Sequence, residues 1–120
     1  MSTDDSLTQI QASIEKFAQD RDWDQFHTPK NLIMAATSEM GELAEVLQWK
    51  SEEEVIAYLS SEEGKTRLSE EISDVMIYLL RLSQKADIDI IDSLRKKLAQ
   101  NELKYPVDLS KGNARKYTER

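Results

Sequence analysis

The chain has 120 residues, with 16 Lys or Arg against 23 Asp or Glu, which gives a formal net charge of −7. This length suits one domain with a hydrophobic core, and the acidic balance argues against binding to nucleic-acid polymers, which needs a basic surface. The absence of cysteine excludes both disulfides and thiolate metal ligands. No apolar run approaches the roughly 20 residues that span a bilayer, and no signal-peptide pattern begins the chain. We therefore expect a soluble, cytoplasmic protein that does not bind membranes.

Apolar residues at helical spacing divide the chain into successive helices. The second of these begins where Thr28 is a predicted N-cap and Pro29 occupies the first helical position. A short helix follows Ser51, which has capping-box spacing to Glu54. Regular structure is expected to end at Pro106. The predicted elements are a flexible N-terminus over 1–5, helices over 6–20 and 29–50, the short helix through Leu59, helices over about 65–86 and 90–103, and a basic C-terminal tail over 107–120.

The fold class that these elements predict is all-α. Four main helices plus one short helix, joined by short connections and each carrying an apolar stripe, are typical of a helical bundle, here over residues 6–106. Ser60, Ser61 and Gly64 are expected to separate the short helix from the next long one. Because the apolar stripes are wide, we expect helix pairing between chains to assemble an oligomer.

Two carboxylates interrupt the apolar face of the second helix. At about 100° per residue, Glu39 falls within about 20° of Val46 and about 40° of Leu43. Glu42 lies about 60° further round, whereas Glu45 is expected to point away from this face. Carboxylates beside a core stripe are costly unless a cation meets them. Taken alone, however, the pair is more typical of solvated glutamates at the edge of the stripe.

A second acidic pair lies in the third long helix, where Glu71 falls between Tyr78 and Leu82 and Asp74 follows three residues later. Two such pairs on facing helices would bring together four acids that cannot all stay ionised without a counter-charge. Oxygen ligands without cysteine or histidine favour Mg²⁺ or Mn²⁺ over zinc. A di-iron bundle would need Glu-x-x-His twice, and the one histidine lies in a predicted loop. We therefore predict a divalent-metal site.

The spacing Glu39-x-x-Glu42, 28 further residues, then Glu71-x-x-Asp74 resembles the MazG-like superfamily of nucleotide pyrophosphohydrolases. Further runs resemble its dCTP pyrophosphatase branch, over residues 21–32, 41–49, 71–79 and 105–117. The superfamily often carries another glutamate just before the first pair, where this chain has Ser38.

The resemblance implies that Mg²⁺, or Mn²⁺ in its place, is bound by Glu39, Glu42, Glu71 and Asp74. It also implies hydrolysis of a nucleoside triphosphate to the monophosphate and diphosphate by water attack at the α-phosphorus. Either Glu39 or Glu42 would position the water as well as bind metal. The implied substrate is dCTP or a modified dCTP, removed from the nucleotide pool as house-cleaning, and the implied assembly is a homotetramer built as a dimer of dimers.

Aromatic residues hold the base in the relatives, and the matching positions here are Trp23, Trp49 and Tyr78. Trp49, at a helix end, fits core packing equally well. His27 either hydrogen-bonds substrate or caps the following helix, and both alternatives stay open.

Several residues of the C-terminal third match positions that contact phosphate and sugar, and each has a second interpretation. Lys97 and Asn101 share one helix face, which also fits a solvated surface. The basic residues of the tail would close over the phosphates, in their own or a neighbouring subunit, or remain disordered; these are Lys111, Arg115 and Lys116.

The residues by themselves also allow a function from another class, a non-catalytic helical adaptor whose acidic face binds a basic partner. In that case Glu71→Gln would leave metal and nucleotide behaviour unchanged.

Overall fold

A computed structural model describes residues 6–119, and of Glu119 it describes the backbone alone. The described residues are helical throughout their regular structure and contain no strand, so the predicted all-α class is confirmed. The prediction for residues 1–5 lies outside the described residues. Within the described part, no helix has the length and apolar character needed to cross a membrane. The α-helices are α1 (Ser6–Asp20), α2 (Pro29–Leu47), α3 (Glu52–Leu59), α4 (Glu62–Lys85), α5 (Ile90–Lys104) and α6 (Val107–Ser110), with 3₁₀ turns at Asp24–Phe26 and Tyr117–Glu119.

Side-chain caps explain where α2 and α3 begin. The hydroxyl of Thr28 accepts a hydrogen bond from the backbone N–H of Asn31 at 3.2 Å, and Pro29 takes the first helical position of α2. Ser51 and Glu54 form the predicted reciprocal capping box of α3. Each cap satisfies backbone N–H groups that have no partner within the first helical turn. The starts of α2 and α3 are therefore local properties of the sequence.

Three boundaries differ from the sequence prediction. α2 ends at Leu47, three residues before the expected end at 50. α4 begins earlier than expected, because Ser61 caps it by accepting a hydrogen bond from the N–H of Gly64, which lies inside the helix rather than in a break. The expectation that regular structure ends at Pro106 is wrong. This proline cannot continue α5, but its fixed φ suits the residue before a helix, and α6 follows it directly.

The chain divides into two compact units, with the division between Asp87 and Ile88. In the first unit α4 is the central helix, packing chiefly on α2 and also on α1 and α3. Asp87, in the left-handed region with φ 56°, follows the end of α4. The second unit holds α5 and α6. The buried apolar residues of the described chain are Ile14, Ala18, Leu32, Ala36, Val46 and Leu80.

Helical spacing predicts that one apolar stripe of α4 is buried, formed by Leu68, Ile72, Val75, Leu79 and Leu82. The side of α4 that is buried differs from this stripe. Ile72 and Leu79 belong to that stripe, yet they are 44% and 46% exposed. Arg81 and Ser83 are buried instead, at 3% and 4% exposure. Spacing assigns residues to one face of a helix, but only the neighbouring helices decide which part of that face is covered.

Candidate active site

Packing of α2 against α4 brings three of the predicted acids together. One carboxylate oxygen from each of Glu39, Glu42 and Glu71 lies within 4.8 Å of the others. Glu39 and Glu42 are one turn apart on α2, and Glu71 faces them from α4. Spacings of this size allow one cation to contact all three carboxylates.

The described residues supply few hydrogen bonds or positive charges to the acids of this cluster. Glu39 and Glu71 each have one buried carboxylate oxygen, Oε2, that has no hydrogen-bond partner among the described residues. A hydrogen bond with Glu42 is the largest cause that raises the pKa of Glu39 to about 7, ahead of burial and repulsion from the neighbouring acids. One cation lies nearby, with Arg67 Nε 3.6 Å from Glu71 Oε1.

The cluster fits a divalent metal ion by the chemistry of its donors. It offers three carboxylates, two of them with an oxygen that is buried and unpartnered within the described chain. Hard oxygen donors of this kind suit Mg²⁺ or Mn²⁺. Asp74 lies outside the 4.8 Å group, but it faces the same region and adds to the charge that raises the pKa of Glu39.

A cavity of about 240 Å³ opens beside the acids, between α1, α2, α4 and the loop before α2. Its wall combines apolar and aromatic side chains with a few polar groups, as small-molecule sites usually do. The residues that line it are Ile14, Phe17, Ala18, Trp23, His27, Glu39, Asp74, Ile77, Tyr78 and Arg81.

The loop before α2 places two predicted substrate residues in this wall. The backbone N–H of Trp23 donates to the carbonyl of Ala18 at 2.9 Å, which ties the start of the loop to the end of α1. The Trp23 ring stands edge-on to Phe17 with centroids 5.7 Å apart, and it lies 6.4 Å from the His27 ring. The structure therefore brings Trp23 and His27 together with Tyr78 of α4 around one cavity.

The remaining predicted substrate residues lie elsewhere. Trp49, just after α2, is 88% exposed and is not among the residues that line this cavity. The others belong to the second unit and are at least partly exposed, so their roles stay predictions; these are Lys97, Asn101, Lys111, Arg115 and Lys116.

Sequence reasoning missed a charged network at one end of the cavity, centred on Arg81. Its Nη2 donates to Asp24 Oδ1 at 2.5 Å, and Lys85 Nζ donates to the same oxygen at 2.9 Å. The hydrogen bond from Lys85, together with the charges of both cations, lowers the pKa of Asp24. The signal was present in the chain, since Asp74, Arg81 and Lys85 follow one another at helical spacing on α4.

Comparison with known proteins agrees with this architecture. A family model described as the MazG-like family matches residues 34–119. The chain is 42% identical over 118 residues to dCTP pyrophosphatase 1 of Bos taurus, covering 98% of this chain and 70% of that protein. It is 40% identical over 118 residues to dCTP pyrophosphatase 1 of Homo sapiens, covering 98% and 69%.

A solved structure is similar over almost the whole fold. The crystal structure of a pyrophosphatase from Archaeoglobus fulgidus superposes with a TM-score of 0.79 at 36% identity, covering 88% of this chain and 97% of that one. Sequence and fold thus agree with the resemblance carried by the four acids, and the chain belongs to the MazG-like family.

Proposed function

We propose that this chain hydrolyses nucleoside triphosphates to the monophosphate and diphosphate, with dCTP or a modified dCTP as its preferred substrate. The observation that carries the proposal is the carboxylate cluster of Glu39, Glu42 and Glu71 beside a cavity walled by Trp23 and Tyr78. The names of the relatives support both the class of reaction and the choice of dCTP.

All four acids would bind metal, and one of them would also accept a proton from water. Glu39, Glu42, Glu71 and Asp74 would hold Mg²⁺ or Mn²⁺, which when bound neutralises triphosphate charge and acidifies water. A carboxylate of Glu39 or Glu42 accepts a proton from the attacking water. The new bond joins the water oxygen to the α-phosphorus. The bond between the α-phosphorus and the oxygen that bridges the α- and β-phosphates breaks, and diphosphate leaves.

The cavity beside the acids is the proposed site of the nucleobase. Trp23 and Tyr78 offer flat faces for stacking, and His27 offers a ring nitrogen to a polar base edge. Asp74 and Glu39 line both the cavity and the acidic region, so a base in the cavity places its phosphates toward the acids. The proposal also includes roles in contacting phosphate or sugar that the family resemblance implies. The residues concerned are Lys97, Asn101, Lys111, Arg115 and Lys116.

A pyrophosphate-release assay tests the activity. The protein is incubated with canonical and modified deoxynucleoside triphosphates in Mg²⁺, in Mn²⁺ and in a chelator. We expect diphosphate only with metal and fastest with dCTP or a modified dCTP. Absence of metal-dependent release from every nucleotide overturns the activity, and equal release from all bases overturns the dCTP preference alone. The adaptor alternative predicts no release and no effect of Glu71→Gln.

We also propose that the chain assembles as a homotetramer, a dimer of dimers. The supporting observation is an uncovered apolar face on α2 and α4, formed by Ile33, Met40, Ile72, Met76 and Leu79, each at least two-fifths exposed. A shallow groove of about 230 Å³ runs along this face. Apolar area of this kind is typical of surfaces that pair between chains.

Light scattering after size-exclusion chromatography tests the assembly. Four subunits of 13.8 kDa are expected for the unaltered protein. Met76→Glu on the apolar face should give smaller species, whereas Ile56→Glu, on exposed α3 outside that face, should not. A monomer at micromolar concentration overturns the proposal.

A further inference from the structure

Arg81 is the most deeply buried cation of the described chain, at 3% exposure, and each of its guanidinium nitrogens has a partner. Nη2 donates to Asp24, Nη1 donates to Gln84 Oε1 at 3.0 Å, and Nε donates to His27 Nδ1 at 3.1 Å. Gln84 is itself held, because its amide donates to the carbonyl of Gln11 at 2.6 Å. The guanidinium is therefore fixed in place from three sides.

The contact between Arg81 and His27 decides where the imidazole carries its proton. A guanidinium has only donors and does not lose its proton in proteins. The ring nitrogen that faces Nε must therefore present a lone pair, so Nδ1 is unprotonated and the neutral ring carries its proton on Nε2. Burial, followed by the charge of Arg81, lowers the pKa of His27, which keeps the ring in this neutral form.

The proton on Nε2 is then available to a ligand. His27 lines the cavity, and within residues 6–119 no protein group forms a hydrogen bond with its Nε2. The ring has no acceptor left to offer, since Nδ1 is occupied by Arg81. Towards the cavity, His27 is consequently a donor only.

We propose that Arg81 is a positioning residue that fixes His27 as a hydrogen-bond donor to the cavity, so that the site selects a base with an acceptor on the facing edge. A ring carbonyl or an unprotonated ring nitrogen of a pyrimidine has this character. The identity of the ligand rests on the proposed function; the state of the imidazole does not.

Nitrogen NMR of the nucleotide-free protein tests the state of the imidazole. Because the chain has one histidine, its ring signals need no assignment among others. We expect the Nε2–H tautomer alone and a scalar coupling across the hydrogen bond between Arg81 Nε and His27 Nδ1. A wild-type ring protonated on Nδ1, or the absence of this coupling, overturns the proposal without requiring any variant to fold.

Three variants test whether Arg81 acts through its hydrogen bond to His27 or only through the space that its side chain fills. Arg81→Met removes the donor and should add a measurable Nδ1–H population, whereas Arg81→Lys keeps a group that can only donate and should retain more of the Nε2–H form than Arg81→Met. Lys85→Met is the matched control, because Lys85 holds Asp24 but does not contact His27. An unchanged tautomer in Arg81→Met, or the same change in Lys85→Met, contradicts the proposal.

Binding of dCMP tests selection by the cavity. The probes are dCMP and the deoxynucleotide of 2,4-difluorotoluene, a base-shaped ring without strong acceptors. A neutral hydrogen bond is worth roughly 3- to 10-fold in affinity, so Arg81→Met should weaken dCMP by about that factor and leave the analogue unchanged. For dCTP turnover, KM should rise by a similar factor at constant kcat.

The two proposals fail in different ways. Equal binding of both probes by the unaltered protein, alongside metal-dependent diphosphate release, overturns the role of Arg81 and leaves the activity standing. Discrimination between the probes that is lost in Arg81→Met, without diphosphate release from any nucleotide, supports the role of Arg81 and overturns the activity.

Discussion

Glu39 of α2 and Glu71 of α4 face each other with carboxylate oxygens no more than 4.8 Å apart, and each has an Oε2 that is buried without a partner in the described part of the chain. Two acids in this arrangement repel each other, and burial of an unpartnered oxygen on each adds to the cost, so the pair is unfavourable in the metal-free protein. A bound cation would offset this cost, which is the physical basis for proposing metal binding at this cluster.

Loss of one of the four acids proposed to hold metal should sharply reduce turnover without unfolding the chain. We expect Glu39→Gln and Asp74→Asn each to lower kcat/KM by on the order of 100-fold or more, because several kcal/mol of charge stabilisation is removed. The measurement is diphosphate release, with helical content followed by circular dichroism. The control is Glu45→Gln, at an exposed acid of α2, which should leave kcat/KM nearly unchanged. Near-normal rates in Glu39→Gln or in Asp74→Asn would show that the assignment of ligands is wrong.

The metal-free protein should lose stability as the pH rises from about 4.5 to about 7. The pKa of Glu39 is raised from 4.5 to about 7 in the folded chain, so the folded state binds more protons than the unfolded state within this window. The free energy of unfolding then falls with increasing pH. Urea unfolding in a chelator, at about pH 5 and about pH 8, measures this loss, which Glu39→Gln should reduce.

Divalent metal should restore the stability that is lost at neutral pH. A ligand that binds only the folded state at 100 times its dissociation constant adds about 2.7 kcal/mol. Thermal unfolding with increasing Mn²⁺ should therefore show a rising midpoint that saturates, and Glu71→Gln should weaken the response. The same rise in Glu71→Gln and in the unaltered protein would place the metal elsewhere.

Two helical glycines should respond in opposite directions to alanine. A Cβ at Gly64 would lie 1.9 Å from the carbonyl oxygen of Tyr58, whereas a Cβ at Gly41 would meet nothing within 4 Å. We expect Gly64→Ala to destabilise by about 1–3 kcal/mol through overpacking, and Gly41→Ala to stabilise by about 0.5–1 kcal/mol because glycine disfavours helix. Urea unfolding compares them. Equal effects of the two substitutions would contradict the packing of α3 on α4.

Removal of the Trp23 ring should weaken nucleotide binding. Stacking of a base on an aromatic side chain is worth about 1–3 kcal/mol, so Trp23→Leu should raise the KM for dCTP by roughly 5- to 150-fold. Phe26→Leu is the matched control, because Phe26 lies in the same loop but does not line the cavity. A KM that rises equally in both variants would indicate a loosened loop rather than lost stacking.

The sequence by itself determined the local features of this protein. Caps such as Thr28 and Ser51 act on backbone groups within one turn, so the starts of α2 and α3 could be predicted from neighbouring residues. The i, i+3 acid pairs likewise follow from the period of one helix. Together with the runs over residues 21–32, 41–49, 71–79 and 105–117, they indicated the family. The early start of α4 was not predicted, because Gly64 indicates a break although Ser61 before it can cap a helix. The helix after Pro106 was not predicted, because proline usually ends a helix.

Only the tertiary structure decided which side chains meet. Helical period places Glu71 on a face of α4, but the packing of α2 on α4 sets it beside Glu39 and Glu42 and leaves Asp74 facing the cavity. The contact between Arg81 and His27 joins residues 54 positions apart, which no spacing within one helix encodes. The partners of that arginine come from the loop before α2 and from α4 itself, and so the donor that His27 presents to the cavity is a property of the fold.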